Sequence, residues 1–129
     1  MTDKLLFKEE TYKVIGACIK VHKNLGNGFA ADVYKEALQK ELIKNNVPFE
    51  KEKEINVFYD GLKLNNFYLT DFVCYENILV EICTLESIPE DIHRKSVNVL
   101  IATNYQLSLL INFGENKLNW KRFINTSAE

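Results

Sequence analysis

Two carboxylates inside otherwise apolar segments are the residues of this chain best suited to chemistry. Asp71 lies in FYLTDFVCY, residues 67–75, and Glu81 lies in ILVEICTLE, residues 78–86. Both segments are rich in β-branched and aromatic residues, which predicts two antiparallel strands at the centre of a sheet. A carboxylate inside such a strand is costly unless it is hydrogen-bonded, paired with a cation or bound to a metal ion. The two acids are therefore the first candidate site.

The length of the turn between the two strands decides whether the acids meet. A two-residue turn would send the two side chains to opposite faces, because a one-residue change of register turns every side chain over. A three-residue turn, residues 75–77, would set Asp71 opposite Glu81. Asn77 tolerates the left-handed conformation that such a turn requires. We predict the three-residue turn, with Cys83 on the same face as the acids.

Two helices are predicted before these strands. Apolar residues recur at helical spacing over residues 9–25, which Gly26 ends, and again over residues 30–44. In the second helix, Lys35 belongs to the charged side that we expect to face water.

The remaining elements follow from alternation, turn residues and capping signals. A serine, a proline and a glutamate within residues 87–90 predict a capping box that opens a third helix, with Val97, Leu100 and Ile101 facing inward. The other segments are a half-exposed strand over residues 49–59, a hairpin turn at 60–61, the end of the third helix near residue 104, a buried strand over 107–113 and an edge strand over 118–124. This order predicts an α+β fold.

Composition limits the function classes. The chain has 129 residues, which suits a single domain over residues 1–129, and its formal net charge of -2 provides no global basic field for nucleic acid. It has three cysteines without a CxxC spacing, which predicts reduced thiols in the cytoplasm. No segment is apolar enough for a signal peptide or a membrane span, so we expect no membrane partner.

Several segments together carry a family resemblance: VHKNLGNGF at residues 21–29, VYKEAL at 33–38, TDFV and LVEI around the two acids, and LLINFG at 109–114. With these segments the chain resembles the GxxExxY proteins, a bacterial family grouped with the PD-(D/E)XK nucleases. The resemblance implies a mostly antiparallel mixed sheet flanked by helices. It also implies a hydrolase site in which Asp71 and Glu81 hold Mg²⁺ for phosphodiester cleavage in DNA or RNA. It leaves a homodimer open.

Three positions depart from the family pattern. Ala31 stands where the naming motif has glutamate, although Asp32 follows it. Cys83 stands where the superfamily has a lysine two residues after the second acid, and Lys95 replaces a glutamine of the next helix. A thiol cannot stabilise developing negative charge, whereas Lys95 could reach the site from its helix.

Two classes of function remain open. The predicted catalytic residues are Asp71, Glu81 and Lys95, of which the two acids are the metal ligands. The first hypothesis is a degenerate nuclease, weak or inactive in cleavage, that acts on or binds nucleic acid. The alternatives are an active Mg²⁺-dependent nuclease in which Lys95 replaces the missing lysine, and a protein-interaction module. A thiol nucleophile formed by Cys83 and His93 is disfavoured, because nearby carboxylates oppose thiolate formation.

Overall fold

The computed structural model describes residues 6–125, which form three helices and five strands. They are α1 (Lys8–Leu25), α2 (Ala31–Lys44), β1 (Phe49–Tyr59), β2 (Leu62–Cys74), β3 (Ile78–Cys83), α3 (Ile92–Thr103), β4 (Leu107–Asn112) and β5 (Asn119–Ile124). The predicted order of helices and strands is confirmed. Gly26, with a φ of 75°, ends α1, and Asp60 and Gly61 form the turn between β1 and β2 with φ values of 52° and 77°.

The five strands form one sheet in the order β1-β2-β3-β4-β5. Among the strand pairs of residues 6–125, only β3–β4 is parallel, and α3 provides the crossover that a parallel pair requires. The other neighbouring pairs are antiparallel, so the predicted mixed, mostly antiparallel sheet is confirmed. No helix within residues 6–125 has the length and apolar character needed to cross a membrane.

Helices cover both faces of the sheet. The α1 and α2 side contains a core that includes Tyr34, Leu38, Phe72, Val80 and Leu109. The α3 side contains a second core formed by Ile55, Val73, Leu79, Leu100 and Phe123. Because β3 and β4 are buried on both faces, their sequences are nearly continuous in apolar residues.

Strand β2 changes face along its length. Residues an even number apart share one face of a regular strand, yet Phe72 packs in the α1–α2 core and Tyr68 packs against the α3 core. The reversal falls where the β1–β2 pairing skips Glu52 and Asp71 and where Glu52 has a φ of 54°. Asp71 therefore lies at an irregularity of the sheet.

The start of α3 differs from the prediction. The helix begins at Ile92 after Asp91, and no described side chain forms a capping hydrogen bond there, so the predicted capping box is wrong. The amide of Ile92 donates to the carbonyl of Pro89 at 3.2 Å, so the segment with the proline forms a turn before the helix.

The buried face of α3 also differs in part from the prediction. Leu100 is buried as predicted, whereas Ile101 is 58% exposed. Val99 packs on the core instead, so the buried stripe of α3 includes Val99 and Leu100 but not Ile101.

A buried asparagine fixes the chain after β3. The Oδ1 atom of Asn112 accepts the amides of Leu85 at 2.8 Å and Gly114 at 3.0 Å. Its Nδ2 donates to the carbonyl of Leu85 at 3.0 Å and to the carboxylate of Glu115 at 2.7 Å. Gly114 lies so close to Leu85 that an added Cβ would be 2.7 Å from the Leu85 amide nitrogen.

We predict that Gly114→Ala destabilises the protein by about 1–3 kcal/mol, the usual cost of overpacking. Gly16→Ala is the matched control, because a Cβ at this exposed helical position meets no atom within 4 Å. That control is expected to be neutral or stabilising by up to about 1 kcal/mol. Urea unfolding of the two variants measures the difference, and equal stabilities would contradict the close contact at Gly114.

Candidate functional site

The turn between β2 and β3 has the predicted length. Cys74 pairs with Ile78, and the amide of Asn77 donates to the carbonyl of Cys74 at 3.2 Å. The left-handed residues are Tyr75 and Glu76, with φ values of 54° and 62°, and not Asn77 as expected. Instead, the Asn77 side chain donates to the carbonyl of Tyr75 at 2.9 Å, which supports the turn.

Asp71 lies where β2 and β3 stop pairing. The last regular pair is Phe72 with Val80, so the two acids are the next residues on their strands. At this point the Oδ2 atom of Asp71 accepts the backbone amide of Ile82 at 2.7 Å. A side-chain oxygen thus takes a backbone donor at the place where the strands diverge.

The other oxygen of Asp71 is paired with a lysine from α2. The Nζ of Lys35 lies 2.9 Å from Oδ1, and the two side chains are only 22% and 20% exposed. The prediction that Lys35 faces water is wrong. Helical periodicity follows the position of the Cβ atom, whereas the long stem of a lysine carries its ammonium around the side of the helix.

Glu81 is held by two hydroxyl groups. Its Oε2 accepts the Tyr68 hydroxyl at 2.5 Å and the Thr70 hydroxyl at 3.1 Å. Burial raises the pKa of Glu81 to about 7, against the hydrogen bond from Tyr68. The charge of Asp71 raises this pKa further, whereas Thr70 and Lys35 lower it. The two acids therefore interact electrostatically, although they share no hydrogen-bond donor within residues 6–125.

A cavity of about 250 Å³ lies between Glu81 and α3. Its lining includes Tyr68, Leu79, Glu81, Lys95, Val99 and Leu110. The Nζ of Lys95 lies 3.4 Å from Asp91 and its side chain is 68% exposed, so the ammonium lies at the outer side of the cavity. The catalytic role of Lys95 remains a prediction.

Cys83 is a half-buried free thiol. Burial is the main reason that its pKa is raised to about 11. The hydrogen bond with the backbone amide of Leu85 lowers this pKa, whereas the charges of Glu115 and Asp71 raise it. The group is therefore neutral at physiological pH.

Cys18 and Cys74 are also free, which agrees with the predicted reduced state. The His93 ring packs against Phe123 with centroids 5.6 Å apart.

The donors around the two acids decide whether a divalent metal ion fits between them. Carboxylate oxygens suit Mg²⁺, which needs only one or two of them when phosphate and water complete its coordination. However, both oxygens of Asp71 already have donors, and residues 6–125 contain no group of three or more metal-ligating side chains. As arranged, these residues do not fit a bound Mg²⁺. The metal site at Asp71 and Glu81 stays a prediction that requires Lys35 to move.

The raised pKa of Glu81 predicts a pH-dependent effect of Glu81→Gln. The unfolded-state carboxyl releases its proton near pH 4.5, whereas the folded one keeps it until about pH 7. Between these values the folded state binds more protons, so wild-type stability falls with rising pH. Relative to the wild type, Glu81→Gln should gain stability between pH 4.5 and 7 and then level off.

Chemical denaturation across this pH range measures the difference, and the exposed Glu86→Gln is the matched control. The prediction fails if the stability difference between Glu81→Gln and the wild type stays constant over the range.

Comparison with known proteins agrees with this architecture. The sequence model of the PD-(D/E)XK nuclease superfamily matches residues 8–123. The crystal structure of SSO0001 superposes with a TM-score of 0.54 at 17% identity, covering 95% of this chain and 61% of that chain. This chain therefore spans about 61% of the length of SSO0001.

A second structure, an alkaline exonuclease (LHK-Exo) from Laribacter hongkongensis, has a TM-score of 0.44 at 12% identity, with 99% of this chain and 74% of that chain covered. That likeness is too low to support a conclusion. No curated protein sequence matches the chain. The match to the superfamily covers nearly every described residue, whereas membership of the GxxExxY family stays a prediction. The chain belongs to the PD-(D/E)XK nuclease superfamily.

Proposed function

We propose that the protein binds nucleic acid through its nuclease-like domain and cleaves phosphodiester bonds weakly or not at all. The observation that carries the proposal is Cys83. Where the superfamily pattern has a lysine, this chain has a thiol whose pKa is raised to about 11 by burial. A neutral thiol provides no positive charge for a phosphate that becomes more negative during cleavage.

The charges around the acids support weak cleavage. In the proposed site of Asp71 and Glu81, the ammonium of Lys35 already contacts Asp71 at 2.9 Å. Removing one electrostatic donor from a catalytic site costs about 10²–10³ in rate. Mg²⁺ is the divalent ion that two carboxylates would suit, and Asp71 and Glu81 would hold it once Lys35 had left.

Basic residues near the cavity support binding of phosphate groups. Arg94 and Lys95 are exposed in the first turn of α3, beside the cavity that Glu81 lines. The first amides of a helix are also favourable for phosphate, and no side chain caps this helix. With a net charge of -2 the chain has no global field, so binding should depend on this surface and be sensitive to salt.

Cleavage by the wild type is expected to be weak or absent. Combined with Lys35→Met, which frees Asp71 for a metal ion, Cys83→Lys should raise it by up to about 10²-fold if the added ammonium restores the missing donor. Leu85→Lys is the matched control, because Leu85 is 42% exposed just after the same strand and a lysine there adds the same charge at the surface. The assay measures nicking of plasmid DNA and cleavage of single-stranded DNA and RNA with Mg²⁺, Mn²⁺ or EDTA.

Clear metal-dependent cleavage by the wild type, lost in Asp71→Ala, would contradict a degenerate site. If Lys95→Ala also abolished that cleavage, Lys95 would be the replacement for the missing lysine. If Cys83→Lys and Leu85→Lys, each combined with Lys35→Met, both left cleavage unchanged, loss of the lysine would not be the cause of inactivity.

Binding is expected to weaken when the charges at the start of α3 are removed. The double substitution Arg94→Gln and Lys95→Gln should lower affinity for labelled DNA or RNA. It should also reduce the slope of log affinity against log salt concentration by about 2, because each substitution removes one ionic interaction with a phosphate. Lys40→Gln with Lys44→Gln is the matched control on α2, where both lysines are exposed. Fluorescence anisotropy measures both. The absence of binding at low salt would favour a protein-interaction module.

A further inference from the structure

Lys35 is a cation in the site that helical periodicity did not predict. Its ammonium contacts Oδ1 of Asp71 at 2.9 Å, while Oδ2 accepts the amide of Ile82 at 2.7 Å. Each oxygen of this carboxylate therefore has its own nitrogen donor. Any other cation that approached Oδ1 would have to compete with an ammonium that is already in place.

The surroundings keep this ammonium charged. The hydrogen bond with Asp71 raises the pKa of Lys35, against a lowering by partial burial. The charges of Asp71, Asp32 and Glu52 raise this pKa further. Lys35 in turn lowers the pKa of Glu81, so one ammonium interacts favourably with both acids of the site.

The residue one helical turn before Lys35 offers its ammonium no partner that would compete with Asp71. Ala31 precedes Lys35 by four positions on α2, the spacing at which helical side chains meet. A glutamate there would form the favoured i,i+4 pair with Lys35 and compete with Asp71. Alanine offers no such partner, and Asp32 is exposed.

We propose that Lys35 is the resident cation of this site, with its ammonium in the place that a divalent metal ion would take on Asp71. The site is then a closed, metal-free ion pair. The proposal rests on Asp71 and Glu81 being the site, as proposed above, but it does not depend on nucleic-acid binding.

Calorimetric titration with MgCl₂ and with MnCl₂, without nucleic acid, tests this directly. The wild type should show no saturable binding at millimolar metal, whereas Lys35→Met should bind Mn²⁺ at least about tenfold more tightly. Lys51→Met is the matched control, because Lys51 is also partly buried but its Nζ contacts the neutral Gln39 at 3.1 Å. Adding Asp71→Ala to Lys35→Met should abolish the gain.

Thermal unfolding supplies a second readout. In EDTA, Lys35→Met should melt below the wild type because Asp71 loses its cation, and Mn²⁺ should restore part of the loss. If Lys35→Met does not fold, Lys35→Gln replaces it in the same measurements. The stabilisation of the wild type by Mn²⁺ is then also compared with the stabilisation of Asp71→Ala.

Under the proposal, Mn²⁺ stabilises the wild type no more than it stabilises Asp71→Ala. Metal binding by the wild type as tight as by Lys35→Met would overturn the proposal, as would no gain in Lys35→Met. Neither result depends on nucleic-acid binding, so failure here is distinguishable from failure of the proposed function.

Discussion

Keeping two carboxylates within a buried sheet is the constraint on which much of this structure depends. A buried charge is costly unless donors or a cation compensate it, and the structure supplies both. Asp71 receives a backbone amide and an ammonium, and Glu81 receives two hydroxyl groups. The compensation is unequal, since Glu81 keeps a pKa of about 7 because of its burial. Asp71 is thus paired with the ammonium of Lys35, whereas Glu81 has a pKa of about 7.

The fold is adjusted around these groups. The β1–β2 pairing is interrupted opposite Asp71, and Glu52 takes a left-handed conformation there. This interruption turns β2 over, so that Tyr68 and Thr70 reach Glu81 while Phe72 remains in the other core. Backbone irregularities of this kind cost energy and are often found at functional sites. The left-handed residue Glu52 therefore lies beside Asp71, one of the two acids of the candidate site.

Most of the fold could be predicted because its elements have strong local signals. Helical periodicity, Gly26 and the Asp60-Gly61 turn gave the helices and the first hairpin. The three-residue turn was predicted from the cost of leaving Asp71 and Glu81 apart, yet the two acids have different partners: Asp71 pairs with Lys35 of α2, whereas Glu81 lines the cavity against α3. The start of α3 was not predictable from its capping pattern, because Pro89 forms a turn before the helix.

The contents of the site were less predictable. Lys35 lies 36 positions before Asp71 in the sequence, and the apolar stripe of its own helix does not show that its ammonium reaches across to β2. The only local signal was its place one turn after Ala31, where the family motif has a glutamate. Cys83 was recognisable, since a thiol in place of a lysine changes the charge of the site.

The most direct test of a site closed by its own lysine is a crystal soaked in MnCl₂ and measured at the manganese absorption edge. If Lys35 is the resident cation, no anomalous peak lies beside Asp71, and the ammonium of Lys35 remains within hydrogen-bond distance of Oδ1. An anomalous peak between Asp71 and Glu81, with Lys35 displaced from the carboxylate, would contradict it.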